Sequence, residues 1–362
     1  MHRYPARKRE LLRAWDAADE YLLHGLSGQD LKQKDILIVN DSFGALAVAL
    51  QAWSPVSWSD SWISHQALRD NLARNDGDPA TARPLPSTET PAGPVDVVLI
   101  RIPKSLALLE DQLIRLKPQL TQQSRVMVAG MVKKMPSSLW HMLERIIGPT
   151  ETRLARKKAR LIEVCVDLQL PLPANPYPKR WRCDATPFEM VNHANVFSRE
   201  RLDIGTRFLL QHLPETRGAM EIVDLGCGNG LLGLMAALQN PEARLHFVDE
   251  SYMAVASARA NFLQVDGNPQ RAEFHLGNGL DAFGKNAADL VLCNPPFHQA
   301  HALGDTVALS MFKGSRRILR DGGELWVVGN RHLGYHAKLR RFFNSVELVA
   351  SNRKFVILKC AA

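Results

Sequence analysis

The chain carries the same order of strands and loops twice, and this repeat limits its fold more sharply than any single motif. In the second half, 221–224 reads as a strand that runs into a loop holding Gly226, Gly228 and Gly230, and 231–238 as the helix after it. The run 245–249 is a second strand ending in an acid, and 251–262 has helical spacing. A further strand, 289–293, leads to Asn294, and 323–328 and 355–358 are two later ones. Strands alternating with helices predict an α/β domain built on a doubly wound, mostly parallel sheet. The first half repeats the order with its polar landmarks removed. The run 34–44 keeps Gly44, opposite Gly230, as its only glycine. Asp60, Ser61, Arg69 and Asn71 mirror Glu250, Ser251, Arg259 and Asn261. The run 96–104 lies over 289–297, which sets Arg101 against Asn294 and Lys104 against Phe297, and 125–128 echoes 326–328. Two unrelated α/β domains would share this order only by coincidence. A duplication is expected: a degenerate copy over 1–170, a connector over 171–186 and an intact copy over 187–362.

Four prolines fall within 171–178. They cannot continue a helix or a central strand, so the connector is expected to be extended and stiff. In the lead into the second copy, 201–212 is expected to be helical.

A formal charge of +8 and a pI near 9.3 suggest an anionic partner. Residues 1–186 carry 26 Lys and Arg against 20 acids, so most of the excess lies in the degenerate copy. Its densest run is Arg153, Arg156, Lys157, Lys158 and Arg160, and Arg180, Trp181 and Arg182 follow at the connector. Arginines beside an aromatic ring suit phosphate contact with base stacking, the usual grip on folded RNA. These residues are therefore RNA-binding candidates; the plain alternative is a solvated charged face. The cysteines (165, 183, 227, 293 and 360) show no CxxC and no zinc spacing, and are expected as reduced thiols. His298 and His301 lack a third ligand nearby, so no metal is expected. No run approaches the roughly eighteen apolar residues of a membrane helix, and the start of the chain has no signal-peptide core. A cytoplasmic protein away from membranes is expected.

The segment Asn294-Pro295-Pro296-Phe297 answers a specific chemical problem. An exocyclic amine on a base is a poor nucleophile, because its lone pair is delocalised into the ring. The Asn294 side-chain oxygen and the Pro295 carbonyl can hold both N–H bonds and aim that lone pair at an electrophile. Pro295 and Pro296 stiffen the turn, and Phe297 offers a face for stacking. Upstream, Gly226, Gly228 and Gly230 let backbone approach a ligand and present amides at a helix N-terminus. A dinucleotide site would spell GxGxxG; here the spacing is GxGxG behind Asp224, which suits a ligand with an amino-acid head group. Asp224 is a candidate for its ammonium, directly or through water, and Asp249 for two ribose hydroxyls. Asn278 is a candidate for an adenine edge, although Gly277-Asn278-Gly279 is also ordinary turn chemistry. Together these loops resemble those of an S-adenosylmethionine (AdoMet) methyltransferase acting on a planar nitrogen, with Asn294 shared between cofactor and substrate. The two copies then read as tandem Rossmann-like AdoMet-methyltransferase domains. In the first, Ser59 stands where Asp249 should be, so no AdoMet is expected there.

Paired domains with only the second intact, and the string 196–205 ahead of the glycine loop, resemble the bacterial ribosomal-RNA guanine-N2 methyltransferases. The strings 14–23, 191–197 and 294–299 resemble their large-subunit (23S) branch, and the resemblance covers nearly the whole chain. It implies AdoMet as methyl donor, guanine N2 as acceptor, 23S rRNA or a ribosomal assembly intermediate as partner, and target recognition assisted by the first domain. Alternatives remain: small-subunit (16S) guanine, adenine N6, a glutamine side chain in a protein, or an assembly factor that binds RNA without catalysis. Intact Asp224, Asp249 and Asn294 weigh against the last.

Overall fold

The computed structural model describes residues 1–6, 10–184, 186–214, 220–296 and 301–362, with 301–304 described by backbone alone. The chain divides into two compact units, Met1–Tyr177 and Pro178–Ala362. The first runs α1 (Ala17–Gly25), β1 (Ile36–Val39), α2 (Ala45–Ala49), β2 (Val56–Ser59), α3 (Trp62–Ala73), β3 (Arg83–Pro86), β4 (Val95–Arg101), α4 (Leu106–Leu116), β5 (Leu120–Met131), α5 (Ser138–Ile146), β6 (Thr150–Thr152) and β7 (Ala159–Val164). Its strands form one sheet in the order β3-β2-β1-β4-β5-β7-β6, with β7 antiparallel to both neighbours.

The second unit opens on a two-stranded ribbon, β8 (Lys179–Arg182) with β9 (Glu189–Asn192). There follow α6 (Ile204–Leu210), β10 (Glu221–Leu225), α7 (Leu231–Gln239), β11 (Arg244–Asp249), α8 (Tyr252–Val265), β12 (Ala272–Leu276), β13 (Ala288–Cys293), α9 (His301–Ile318), β14 (Leu319–Asn330), α10 (Tyr335–Leu339), β15 (Ser345–Ser351) and β16 (Phe355–Ala361). The main sheet has the order β12-β11-β10-β13-β14-β16-β15, strand for strand the order of the first.

The likeness extends to register. Ile36 sits beside Val97 as Ile222 sits beside Leu290, and Leu37 beside Val56 as Val223 beside His246. Both sheets slip register at a matching place, between Val95 and Val97 and between Ala288 and Leu290. These registers set Arg101 in the place of Asn294 and Ser59 in the place of Asp249. Continuous apolar strands produce this architecture: β1 is Ile-Leu-Ile-Val, buried throughout, as a parallel strand covered on both faces must be. In the second unit Phe247 stacks on Phe274 at 5.1 Å and meets Phe262 edge-on at 5.6 Å, fastening α8 to the sheet. Phe247 and Phe262 are fully buried, each contributing roughly 1.5–3 kcal/mol.

The connector differs from the expectation. Of 171–186, residues 179–182 are strand β8 within the second unit, and the division falls between Tyr177 and Pro178. Among the described residues no helix is long and apolar enough to cross a membrane, and the five cysteines are free thiols.

Candidate cofactor and substrate site

Each glycine of the loop between β10 and α7 has a different reason to be there. Gly230 has a φ of 80°, and a Cβ on it would stand 2.9 Å from the Cβ of Ala258 in α8. Gly44 has a φ of 77°, and its Cβ would stand 2.7 Å from the Cα of Leu68 in α3. This glycine lets two helices close on each other in both units, so its survival in the first says nothing about a ligand. Gly228 (φ 55°) is another matter, because a Cβ there would meet nothing within 4 Å. This leaves open space at Gly228, beside Asp249. Gly226 (φ 73°) lies against Met311 of α9. In the first unit Asn40 keeps the left-handed turn of Gly226 at a φ of 63°, a conformation asparagine tolerates. Its side-chain amide pairs with Gln112 at 2.8 and 3.0 Å, occupying the space with protein.

Asp249 binds the loop to the next helix. Its Oδ2 accepts from the Gly228 amide and its Oδ1 from the Ser251 amide, both at 3.0 Å. Burial raises its pKa, against the pull of these amides. Ser59 keeps only the second contact, accepting from the Ser61 amide at 3.2 Å. Asp224 is turned beneath the loop, 1% exposed, with Oδ2 accepting from the Gly233 amide in the first turn of α7 at 2.8 Å. Burial, with Asp249 nearby, pushes it up to about 7. Its observed partner is thus the N-terminal turn of α7. Asn278 follows β12 at the same end of the sheet, donating to Asp281 at 2.9 Å.

Asn294 leaves the end of β13 into this space. Its Nδ2 donates to Thr206 Oγ1 at 2.9 Å and to Asp203 Oδ2 at 3.1 Å. A carboxylate can only accept, so the amide is fixed with its nitrogen toward α6. The Asn294 Oδ1 is left buried and accepts from nothing among the described residues. A buried acceptor without a donor costs about 1–3 kcal/mol, which a ligand N–H would recover. Asp203 also caps α6, accepting from the Thr206 amide at 2.8 Å. Sequence reasoning missed the parts played by Asp203 and Thr206, although an N-cap acid with threonine three residues on is a visible helix-start signal. Pro295 is buried and Pro296 exposed. Phe297, together with His298 and Gln299, lies outside the described residues.

The first unit closes the same place on itself. Arg101 donates to both oxygens of Asp16 at 2.9 Å and pairs with Asp19 at 3.2 Å. Asp16 and Asp203 are the N-caps of α1 and α6, and Asp19 and Thr206 are the third residues of those helices. Burial raises Asp19 to about 7, opposed by Arg101 and reinforced by Asp41 and Asp16. A buried guanidinium with its carboxylates thus fills the position where the second unit keeps a waiting acceptor. Asn71 and Asn261, matched in the sequence, do one job: they donate to the Phe43 and Asn229 carbonyls and clasp the backbone of His2 and Val191 respectively.

The basic candidates are arranged less simply. Lys157 and Lys158 form the tip of a tight hairpin closed by Arg156 and Ala159, with φ of 49° and 65°. Lys157 pairs with Glu20 at 2.7 Å, and Arg153 with Glu151 and Glu163 at 2.9 and 2.8 Å. Arg156 lies over the Tyr21 ring at 5.6 Å, and Arg160 is half-buried. On β8 the side chains alternate: Arg180 and Arg182 are exposed, while Trp181 packs against the core of the second unit. Trp181 is therefore not an exposed stacking platform, which corrects the expectation.

Residues 1–168 match the family described as RLMG N-terminal domain, and 187–359 the family described as Methyltransferase small domain. The chain is 53% identical over 359 residues to ribosomal RNA large subunit methyltransferase G of Pseudomonas paraeruginosa, covering 99% of this chain and 96% of that one. It is 50% identical over 365 residues to the protein of that name from Streptomyces avermitilis, covering 99% and 95%. Among solved structures, the T. thermophilus 16S rRNA N2 G1207 methyltransferase (RsmC), in complex with AdoMet and guanosine, shares the fold at 19% identity. Its TM-score is 0.78, over 96% of this chain and 92% of that one. With identity near one-half along both units, and a glycine loop, Asp249 and Asn294 gathered at one end of the second sheet, the chain belongs to the ribosomal RNA large subunit methyltransferase G family of AdoMet-dependent enzymes.

Proposed function

We infer that the second unit methylates the exocyclic N2 of a guanine in 23S rRNA, presented as naked RNA or within a ribosomal assembly intermediate. The observation that carries this reading is the Asn294 Oδ1, buried, unpartnered among the described residues and turned away from α6 by the hold of Asp203 and Thr206 on the amide nitrogen. It accepts one amine hydrogen, and the Pro295 carbonyl is the proposed second acceptor, so the nitrogen lone pair points out of the base plane. AdoMet, when bound, supplies an electrophilic methyl group. Asp249 takes the ribose hydroxyls, the open face at Gly228 admits the ligand, and Asn278 is offered to the adenine. No strong base is needed, since the amine becomes acidic on alkylation and its proton leaves to water. Extruding the guanine costs a few kcal/mol, less for a base already in a loop. The protein's contribution is positioning and electrostatics.

The first unit serves in this reading as an RNA grip through Arg153, Arg156, Lys157, Lys158 and Arg160, with Arg180 and Arg182 adding exposed charge from β8. Supporting it, two lysines sit at left-handed positions where Asn-Gly is the favoured pair, a placement that costs about 1–2 kcal/mol per residue. The ion pairs of Lys157 and Arg153 lie at the surface, where a phosphate can replace a carboxylate at little cost.

The test is methylation of 23S rRNA, stripped or in precursor particles, from cells lacking this protein, with labelled AdoMet and nuclease digestion. N2-methylguanosine at one site is the expected product. Label on adenine N6, on a protein glutamine, or only on 16S rRNA would overturn the reading.

A further inference from the structure

The sheet of the second unit carries a cluster that the methyl-transfer site does not use. His246 on β11 pairs in register with Glu273 on β12, and His275 stands two residues beyond on the same face. The His246 Nδ1, His275 Nε2 and Glu273 Oε2 converge: Nδ1 to Nε2 is 3.1 Å, Nδ1 to Oε2 is 3.7 Å and Nε2 to Oε2 is 3.5 Å. A point equidistant from all three lies about 2.0 Å from each, the length of a zinc–nitrogen or zinc–oxygen bond.

The surroundings match that geometry. His246 Nε2 and Glu221 Oε2, at the start of β10, are 2.7 Å apart. A carboxylate there holds the proton on Nε2 and leaves the Nδ1 lone pair facing the cluster, as outer carboxylates do for metal-bound histidines. Glu273 is turned likewise, its Oε1 taken by Arg244 at 2.6 Å and its Oε2 left toward the two rings. Phe283 closes one side, its ring centroid 5.5 Å from His246 and 4.9 Å from His275. A hydrogen-bonded histidine pair alone explains the 3.1 Å contact but not the Glu273 oxygen, which stands beyond good hydrogen-bond distance of both rings.

We propose that His246, His275 and Glu273 form a binding site for one borderline divalent transition-metal ion, zinc foremost, with water or a partner's ligand in the fourth position. Two imidazoles and a carboxylate are a ligand set such ions accept. Bound there, the ion clamps edge strand β12 to β11, the two strands whose ends carry Asn278 and Asp249.

The full chain, stripped with chelator and carrying Cys165→Ser to remove the exposed thiol, is titrated with ZnCl2 by calorimetry and with Co2+ by visible absorption. One equivalent of Zn2+ per chain is expected, with the cobalt spectrum of a four- or five-coordinate site and a Zn2+-dependent rise in melting temperature. His275→Gln should weaken Zn2+ binding at least about 100-fold and abolish the thermal shift, and Glu221→Gln, which touches no metal, should weaken it about 10–100-fold. Should His275→Gln unfold the unit, the more exposed Glu273→Gln serves, with circular dichroism to confirm folding. Absent stoichiometric binding, or binding and thermal shift unchanged in the folded His275 or Glu273 variant, overturns the site.

Discussion

Thr206 and Asn294 are joined by a hydrogen bond of 2.9 Å, and with Asp203 this contact fixes the Asn294 amide with its nitrogen toward α6 and its oxygen away. Asn294→Ala should abolish methyl transfer and leave AdoMet affinity within a few-fold, because the acceptor is lost and the donor pocket is not. Thr206→Val should lower kcat by roughly tenfold, about 1.4 kcal/mol, with little change in AdoMet affinity, and Thr206→Ser should restore it. Single-turnover kinetics with calorimetric AdoMet binding separates the two effects. Equal loss of binding and turnover in Asn294→Ala would give the residue a different role.

Asp249→Ala is expected to act on the donor. It removes the proposed ribose acceptor and leaves the Gly228 amide without its present partner. AdoMet affinity should fall roughly 10–100-fold, corresponding to about 1.5–3 kcal/mol for a charge-assisted contact. Calorimetry on the wild-type chain should also give one AdoMet per chain, since Ser59 and the Asn40–Gln112 pair close the other loop.

Asp224 predicts a pH dependence. Its folded pKa of about 7 lies above the ordinary 3.8, so the folded state holds the proton more tightly. The resulting stability is complete below about pH 4 and is lost as pH rises toward 7. Asp224→Asn keeps an oxygen for the Gly233 amide and removes the ionisation. At about pH 8 the variant should be the more stable, by up to roughly 4 kcal/mol, and its unfolding should vary less with pH between 4 and 7. Urea unfolding of both proteins across that range is the measurement.

Arg101→Ala should destabilise the first unit by about 3 kcal/mol, chiefly because the buried Asp19 loses its cation, while the Asp16 side chain is partly exposed. AdoMet stoichiometry should stay at one. Thermal unfolding and calorimetry check both halves of the expectation.

Replacing Lys157 by Asn and Lys158 by Gly should stabilise the first unit by about 1 kcal/mol, since both backbone positions are left-handed. RNA affinity should fall, and the slope of log affinity against log salt should flatten by about one per lost phosphate contact. Unfolding and filter binding at several salt concentrations measure the two effects; an unchanged slope would make the hairpin a solvated feature.

The strands and the duplication were legible because buried parallel strands leave apolar runs and because matched landmarks such as Asn71 and Asn261 survive in order. The closeness of Gly228 to Asp249 was legible through loop spacing. Asp203 and Thr206 were not, since they reach Asn294 across 91 and 88 residues. The same holds for His246, Glu273 and His275, which register brings together from adjacent strands. Trp181 was misplaced because its prolines marked the segment as connector, whereas the alternation Arg180-Trp181-Arg182 belongs to a strand with one dry face.

The paired glycines make the chain its own control experiment. Gly44 and Gly230 are demanded by neighbouring helices, and both units have them. The residues opposite Gly226 and Gly228 are Asn40 and Ser42, so glycine has been lost there in the unit whose pocket is plugged. In this loop, then, the glycine on which both units agree is the one that helix packing demands.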